Sequence, residues 1–138
     1  PTSPLASLYP LQCVSPHYKR RVHSIFDNVG CMEEAARQEL WMNTTDAAAR
    51  GLRQGERVRV FNSRGTVELP VKITPRMMPG VVSLPQGAWW SPDENGVDQR
   101  GCANTLTGYR PTPLAFSNSQ HTCLVQVEKV SGQAGEVR

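Results

Sequence analysis

The chain has 138 residues, of which 38% are hydrophobic, and a net charge of +3. This length suits one domain around a single hydrophobic core, and the weak positive charge allows an anionic ligand without requiring a nucleic acid. No run approaches the roughly 20 apolar residues that a membrane helix needs, so no direct membrane insertion is predicted.

The first third of the chain alternates loops with short apolar segments. Residues 1–9 are rich in Pro and Ser and are predicted to be a linker from preceding domains. A short strand is predicted at 10–14, and the loop that follows holds the basic run HYKRRVH at 17–23. One or two helical turns at 31–38 and an apolar strand ending at Met42 come next.

A two-turn helix is then predicted around Ala47. Asn43 or Thr44 can cap its N-terminus, Asp46 lies in its first turn, and Gly51 can end it in the left-handed region.

From 56 to 74 the apolar period changes to two, which predicts a hairpin with one buried face that turns at 62–65. A strand at 81–85, a long loop at 86–119 and an alternating strand at 122–130 follow, and 131–138 is predicted to be a flexible tail. At least six short strands and one convincing helix indicate a mainly β domain, closed or nearly so.

The residue inventory predicts binding rather than catalysis. Motifs typical of hydrolases, zinc proteases and nucleotide-binding loops are absent from the sequence. The four cysteines are isolated, and Cys102, His121 and Cys123 lack the usual spacing of zinc ligands, so no metal ligand is predicted.

Three polar clusters are candidates for binding. The basic loop offers hydroxyl, imidazole and guanidinium donors that suit phosphate or pyrophosphate oxygens. The loop GCANTLT at 101–107 offers a carboxamide that can read the edge of a ring, and a polar pair precedes the final strand. The candidates are Ser15, His17, Arg21, His23, Ser24, Asn104, Gln120 and His121.

Four segments in this order resemble one family. They are YPLQCVSPHYKRRVHSIFDN, the stretch from LWMNTTDAAARG to SLPQGAWW at 40–90, GCANTLT, and QHTCLVQVEKV. Together they are similar to the molybdopterin dinucleotide-binding domain that closes the catalytic subunits of the dimethyl sulfoxide reductase family, above all the anaerobic sulfoxide reductases. The resemblance covers residues 10–130, which are expected to form the binding domain.

This resemblance implies a double-psi β-barrel with a few short helices and one long loop. It also implies a cofactor, molybdenum bis(molybdopterin guanine dinucleotide). By residue, the R-x-H-S stretch from Arg21 to Ser24, Asn104 of N-x-L-T, and Gln120 with His121 match contact positions of the family. Residues before R-x-H-S, here including Ser15 and His17, would line the cofactor as well.

The resemblance further implies that the catalytic metal ligand and any iron-sulfur cluster belong to other domains, so this domain alone is expected to be inactive. The parent enzyme would reduce a sulfoxide or similar oxo acceptor. Its partners would be the remaining domains of the catalytic subunit, an iron-sulfur electron-transfer subunit and a membrane anchor subunit, on the periplasmic side of the bacterial inner membrane.

An alternative is a nucleic-acid-binding β-barrel module that uses the basic patch at 17–23. Such a module requires aromatic side chains interleaved with basic ones on a strand face. Trp89 and Trp90 instead lie together in the long loop, which the sequence places away from the basic run. A third reading, a self-processing decarboxylase on a related barrel, needs a Gly-Ser bond that the sequence lacks.

Overall fold

The computed structural model describes residues 3–117 and 121–130. Its helices are α1 (Gly30–Ala35) and α2 (Thr44–Ala48), with short 3-10 helices at Pro4–Ser7 and Ala103–Thr105. Its strands are β1 (Leu11–Val14), β2 (Leu40–Met42), β3 (Arg57–Phe61), β4 (Thr66–Ile73), β5 (Val81–Ser83) and β6 (Cys123–Lys129).

The six strands close into a barrel in the order β1-β5-β2-β4-β3-β6. The pairs β1–β5 and β2–β4 are parallel, and the other four pairs are antiparallel. This confirms the predicted mainly β fold, a closed double-psi barrel with short helices. Closure leaves no strand edge unpaired, which is how short strands avoid pairing with other chains.

Alternating apolar residues fill the barrel. Each fully buried aliphatic side chain contributes about 1.5–3 kcal/mol relative to an exposed one. The hairpin of β3 and β4 and the strand β6 supply much of this core, as the period of two predicted: Val58, Val60, Val67, Leu69, Val71, Val125 and Val127 are all buried.

Glu68 departs from the expected pattern of one buried face. It belongs to the outward set of β4, yet it is buried, because the long loop crosses β4 at this point. The Glu68 backbone N–H donates to Asp98 O over 2.8 Å, and the Glu68 carboxylate pairs with Arg59 at 2.8 Å. The outer face of β4 is therefore a site of loop attachment rather than a solvated surface.

The predicted short helix is confirmed as α2. Asn43 is its cap, since the Asn43 side-chain oxygen accepts the Thr45 N–H at 2.8 Å, and Gly51 has a φ of +63°. Asp46 does more than favour the helix N-terminus, because its carboxylate accepts the Gly80 N–H at 2.7 Å and so fixes the turn before β5.

The ends of the chain leave two predictions open. Residues 4–7 form a 3-10 helix, and whether 1–9 acts as a linker stays a prediction. The predicted tail at 131–138 lies outside the described residues. Over the ranges the structure does describe, no helix has both the length and the apolar character to cross a membrane.

The four thiols differ sharply in environment. Cys13 and Cys123 lie directly opposite each other across β1 and β6, and both are buried. Burial, with the neighbouring Cys123 as a smaller cause, raises the pKa of Cys13 to about 12. Burial also raises the pKa of Cys102 and of Cys123, whereas Cys31 is exposed on α1.

We expect iodoacetamide at pH 8 to label the folded chain at Cys31 alone. The thiolate attacks, and with a pKa of about 12 only about one in ten thousand Cys13 side chains is ionised at pH 8. Mass spectrometry of labelled peptides measures this directly, with the urea-unfolded chain, in which all four thiols react, as the control. Labelling of Cys13 before the chain unfolds would contradict the burial.

Candidate functional site

One end of the barrel carries the loops that hold the predicted site. The register places the ends of β1, β3 and β5 beside the starts of β2, β4 and β6, as the pairs Val14↔Ser83 and Cys13↔Cys123 illustrate. The loop at 15–24, called the basic loop below, therefore leaves from the same end as the segment after β5 and the residues before β6.

The basic loop is pinned to the segment after β5 by backbone hydrogen bonds. The Gln86 N–H donates to the Pro16 carbonyl over 3.0 Å. Beyond this contact the chain makes a tight turn, in which Val22 forms an isolated bridge with Ile25. His23 lies within this tight turn with a φ of +54°. Positive φ in a residue other than glycine is strained, and such strain often marks a functional site.

The structure brings His17 and His23 together at the surface of the basic loop. Their ring centroids are 4.8 Å apart at an interplanar angle of 66°, and both side chains are exposed. Ser24 is also exposed, next to His23. Lys19 and Arg20 are exposed between the two histidines and make no ion pair within the described part of the chain. This face presents donors and positive charge to solvent.

Ser15 and His121 meet although they are 106 positions apart. The Ser15 backbone N–H donates to His121 Nδ1 over 3.1 Å, and Gln12 donates to the His121 carbonyl at 3.0 Å. Since Nδ1 accepts a hydrogen bond, the neutral imidazole carries its proton on Nε2, and this N–H has no acceptor among the residues that the structure describes. Gln120, the other member of the predicted pair, lies outside the described residues.

Asn104 is exposed on the 3-10 helix at 103–105 and makes no hydrogen bond with the basic loop within the described ranges. It joins the same end of the barrel indirectly. The Leu106 carbonyl accepts from Asn62 Nδ2 at 2.9 Å and from Cys123 Sγ at 3.1 Å. A cavity of about 230 Å³ beside Cys123 is lined by Thr107 and Thr122, so the 104–107 loop borders the start of β6.

Arg21 points inward rather than toward solvent. Its Nε lies 2.6 Å from Asp27 Oδ1, its Nη1 donates to Gln38 at 3.0 Å, and its guanidinium covers the Tyr18 ring. Only 7% of the Arg21 side chain is exposed. Its geometry suits a residue that positions the basic loop.

Asp27 organises this region, and sequence reasoning missed it. Its carboxylate, 2% exposed, contacts Arg21 and Arg100 and accepts the Trp89 N–H at 2.8 Å. These partners lie 6, 73 and 62 positions away, so no local pattern could identify the cluster. Asp27 therefore ties the basic loop to two parts of the long loop.

Gly87 and Trp89 fasten the long loop directly onto the basic loop. A Cβ on Gly87, whose φ is +98°, would overlap the His23 carbonyl oxygen and lie 2.8 Å from the carbonyl carbon. Trp89 Nε1 donates to Ser24 O at 2.7 Å. The expectation that the tryptophans lie away from the basic run is therefore wrong for Trp89, because long-loop residues pack back across the barrel end.

No group of three His, Cys, Asp or Glu side chains that could hold a metal ion occurs within residues 3–117 and 121–130. What this end of the barrel offers is hydrogen-bond donors, on imidazole, ammonium, guanidinium and backbone groups. Such a donor set suits a ligand rich in anionic oxygens.

Comparison with known proteins agrees with this donor chemistry. The family described as the molydopterin dinucleotide binding domain matches residues 11–124. The chain is 56% identical over 92% of its length to "Dimethyl sulfoxide reductase DmsA" of Escherichia coli (strain K12), and 38% identical over 94% to a "Trimethylamine-N-oxide reductase" of Haemophilus influenzae. It spans only 16% and 17% of these relatives' lengths.

A solved structure shares the fold. Acetylene hydratase from Pelobacter acetylenicus superposes with a TM-score of 0.69 over 92% of this chain and 19% of its own, at 17% sequence identity. At that identity the likeness concerns the fold alone.

Proposed function

The chain belongs to the molydopterin dinucleotide binding domain family, with the dimethyl sulfoxide reductases among its relatives, and from this premise we propose how it binds its cofactor. The bound form we propose is molybdenum bis(molybdopterin guanine dinucleotide). When bound, that group supplies the metal and the redox chemistry, while the chain supplies position and electrostatics.

The exposed face of the basic loop is the observation that carries the proposal. His17 and His23 stack edge to face there, and Lys19 and Arg20 lie between them in sequence. The nearby carboxylate of Asp27 is turned inward, onto Arg21 and Arg100. The outward surface is thus left positive, which suits the charge of a pyrophosphate.

The geometry of the other described site residues supports a role for each of them. The His121 Nε2–H can donate to the ligand because Ser15 fixes the tautomer from the other side. Ser24 offers an exposed hydroxyl, and the exposed Asn104 carboxamide can both donate to and accept from a heterocyclic ring. Arg21 acts by holding the loop in place. Gln120 remains a proposed contact by sequence position alone.

The chain spans only 16% of the length of its relative DmsA, so what we propose for the whole parent protein rests on the relatives. We propose that it is the catalytic subunit of an anaerobic reductase for a sulfoxide or similar oxo acceptor. Its partners would be an iron-sulfur electron-transfer subunit and a membrane anchor subunit, at the periplasmic side of the inner membrane. Any iron-sulfur cluster of the catalytic subunit would lie outside this domain.

In the intact parent subunit, we expect about one molybdenum and about two guanine nucleotides per polypeptide, the content of the proposed cofactor. His23→Asn and Asn104→Ala should each lose cofactor, since a hydrogen bond to a charged or buried polar group changes binding by roughly 10-fold or more. Asparagine tolerates the positive φ of His23, so His23→Asn tests the imidazole with little added backbone strain.

The measurement is molybdenum and guanine nucleotide content after gel filtration. Asn95→Ala is the control, because Asn95 is exposed in a turn of the long loop and its side chain makes no hydrogen bond there. Matured wild-type subunit with neither component would sink the proposal. Full cofactor content in both variants would remove His23 and Asn104 from the site.

A further inference from the structure

A second cavity, of about 470 Å³, lies on the side of the barrel next to α1. Its floor is apolar, formed by Leu69 and Pro70 of β4, and arginines from four segments line it. It shares Arg21 with the basic loop, but none of His17, His23 and His121 lines it, so it opens away from the proposed cofactor face. Its volume falls in the range of small-molecule sites, roughly 300–1,000 Å³.

Two of its arginines are not neutralised. Arg57 donates to Gln99 Oε1 at 2.6 Å and to the Glu68 carbonyl at 3.2 Å, and both of these acceptors are uncharged. The Arg37 side chain makes no hydrogen bond or ion pair with any described residue. Guanidinium groups that lack a carboxylate partner, next to an apolar floor, form a natural anion site.

Arg100 adds an unsatisfied donor. Its Nη2 is used by Asp27 at 3.0 Å, but its Nε is buried and has no acceptor within the part of the chain that the structure describes. A buried N–H without a partner costs free energy comparable to a lost hydrogen bond, so the Arg100 guanidinium is only partly compensated by its neighbours.

The charge balance sets the kind of ligand. Four arginines (Arg21, Arg37, Arg57 and Arg100) and two glutamates (Glu33 and Glu34) line the cavity, and the buried Asp27 carboxylate lies behind it. One positive charge is therefore left to neutralise. We propose that this cavity binds a small organic molecule with one singly charged oxyanion, a carboxylate or a phosphate diester, whose apolar part rests on Leu69 and Pro70.

The test titrates the 138-residue chain, which closes its own barrel around its own core, with benzoate and with methyl phenyl phosphate, a diester with one negative charge, at fixed ionic strength. Binding is followed by NMR amide shifts at 99–101. We expect saturable binding that becomes about 10-fold weaker or more in Arg37→Gln and in Arg57→Gln. Arg76→Gln, which removes the same charge from an exposed site outside the cavity, should leave the dissociation constant unchanged.

Because the exposed Arg37 side chain makes no hydrogen bond or ion pair with a described residue, Arg37→Gln keeps the test valid even if Arg57→Gln unfolds the chain. The two probes distinguish a carboxylate from a phosphate source, and benzyl alcohol, which lacks the charge, should not bind. Three results would each overturn the proposal: no saturation by roughly 50 mM of either probe, equal weakening in Arg76→Gln, or weakening by His17→Ala, which would move binding to the basic loop.

Discussion

Replacing Asp27 with asparagine is expected to lower the free energy of unfolding by roughly 3–5 kcal/mol, the cost of removing one partner from a buried ion pair. The Asp27 carboxylate is 2% exposed and lies 2.6 Å from Arg21 Nε and 3.0 Å from Arg100 Nη2. An amide of the same size removes the negative charge and can turn an N–H toward one of the two guanidinium groups. Urea denaturation of the chain measures the loss.

The control for this prediction is Glu33, which lies beside the same arginine, Arg100, as Asp27 does. Glu33 lies 3.9 Å from Arg100, but its side chain is 56% exposed, so Glu33→Gln should cost no more than about 1 kcal/mol. Both variants remove one negative charge, so a difference between them reports burial rather than net charge. If Asp27→Asn proved as mild as Glu33→Gln, the carboxylate would not be the organising group of this region.

Local sequence patterns predict the strands well because alternation is a local property. Val58 and Val60, then Val67 and Leu69, repeat every second residue, and the structure buries all four. Closure of the barrel is different in kind, since β1 pairs with β6 across about 110 positions through Cys13 and Cys123. No spacing in the sequence indicates that pairing. The strand count predicts a closed or nearly closed fold, but its double-psi topology could be named from sequence only through the family resemblance.

The candidate site likewise has one part that local sequence patterns predict and another that they miss. His17 and His23 share one short basic loop, so a local reading finds them together, and the structure places their rings 4.8 Å apart. Asp27 depends on Trp89 and Arg100, which reach it only because the long loop folds back over the barrel end. The residues that hold a site in place are drawn from distant segments, and they are therefore the part that sequence patterns miss.

Replacing Gly87 with alanine is expected to cost roughly 2–5 kcal/mol, from a strained backbone together with overpacking. The φ of +98° is unfavourable for any residue with a Cβ. The added Cβ would also overlap the His23 carbonyl oxygen, and because this neighbour is backbone, the basic loop itself must move. The chain should therefore lose stability, and the parent subunit should lose cofactor.

Gly96→Ala separates these two causes. Gly96 lies in the same long loop with a φ of +77°, but a Cβ there would meet nothing within 4 Å. Gly96→Ala should cost only the backbone part of the free energy, about 1–2 kcal/mol.

The Trp89 indole N–H, which donates to Ser24 O at 2.7 Å, gives a direct NMR reading of whether the basic loop and the long loop stay together. Its signal should shift in Gly87→Ala and stay in place in Gly96→Ala. Equal costs and an unmoved indole signal in both variants would mean that the loops are not locked at this contact, and the placement of His23 would then need another cause.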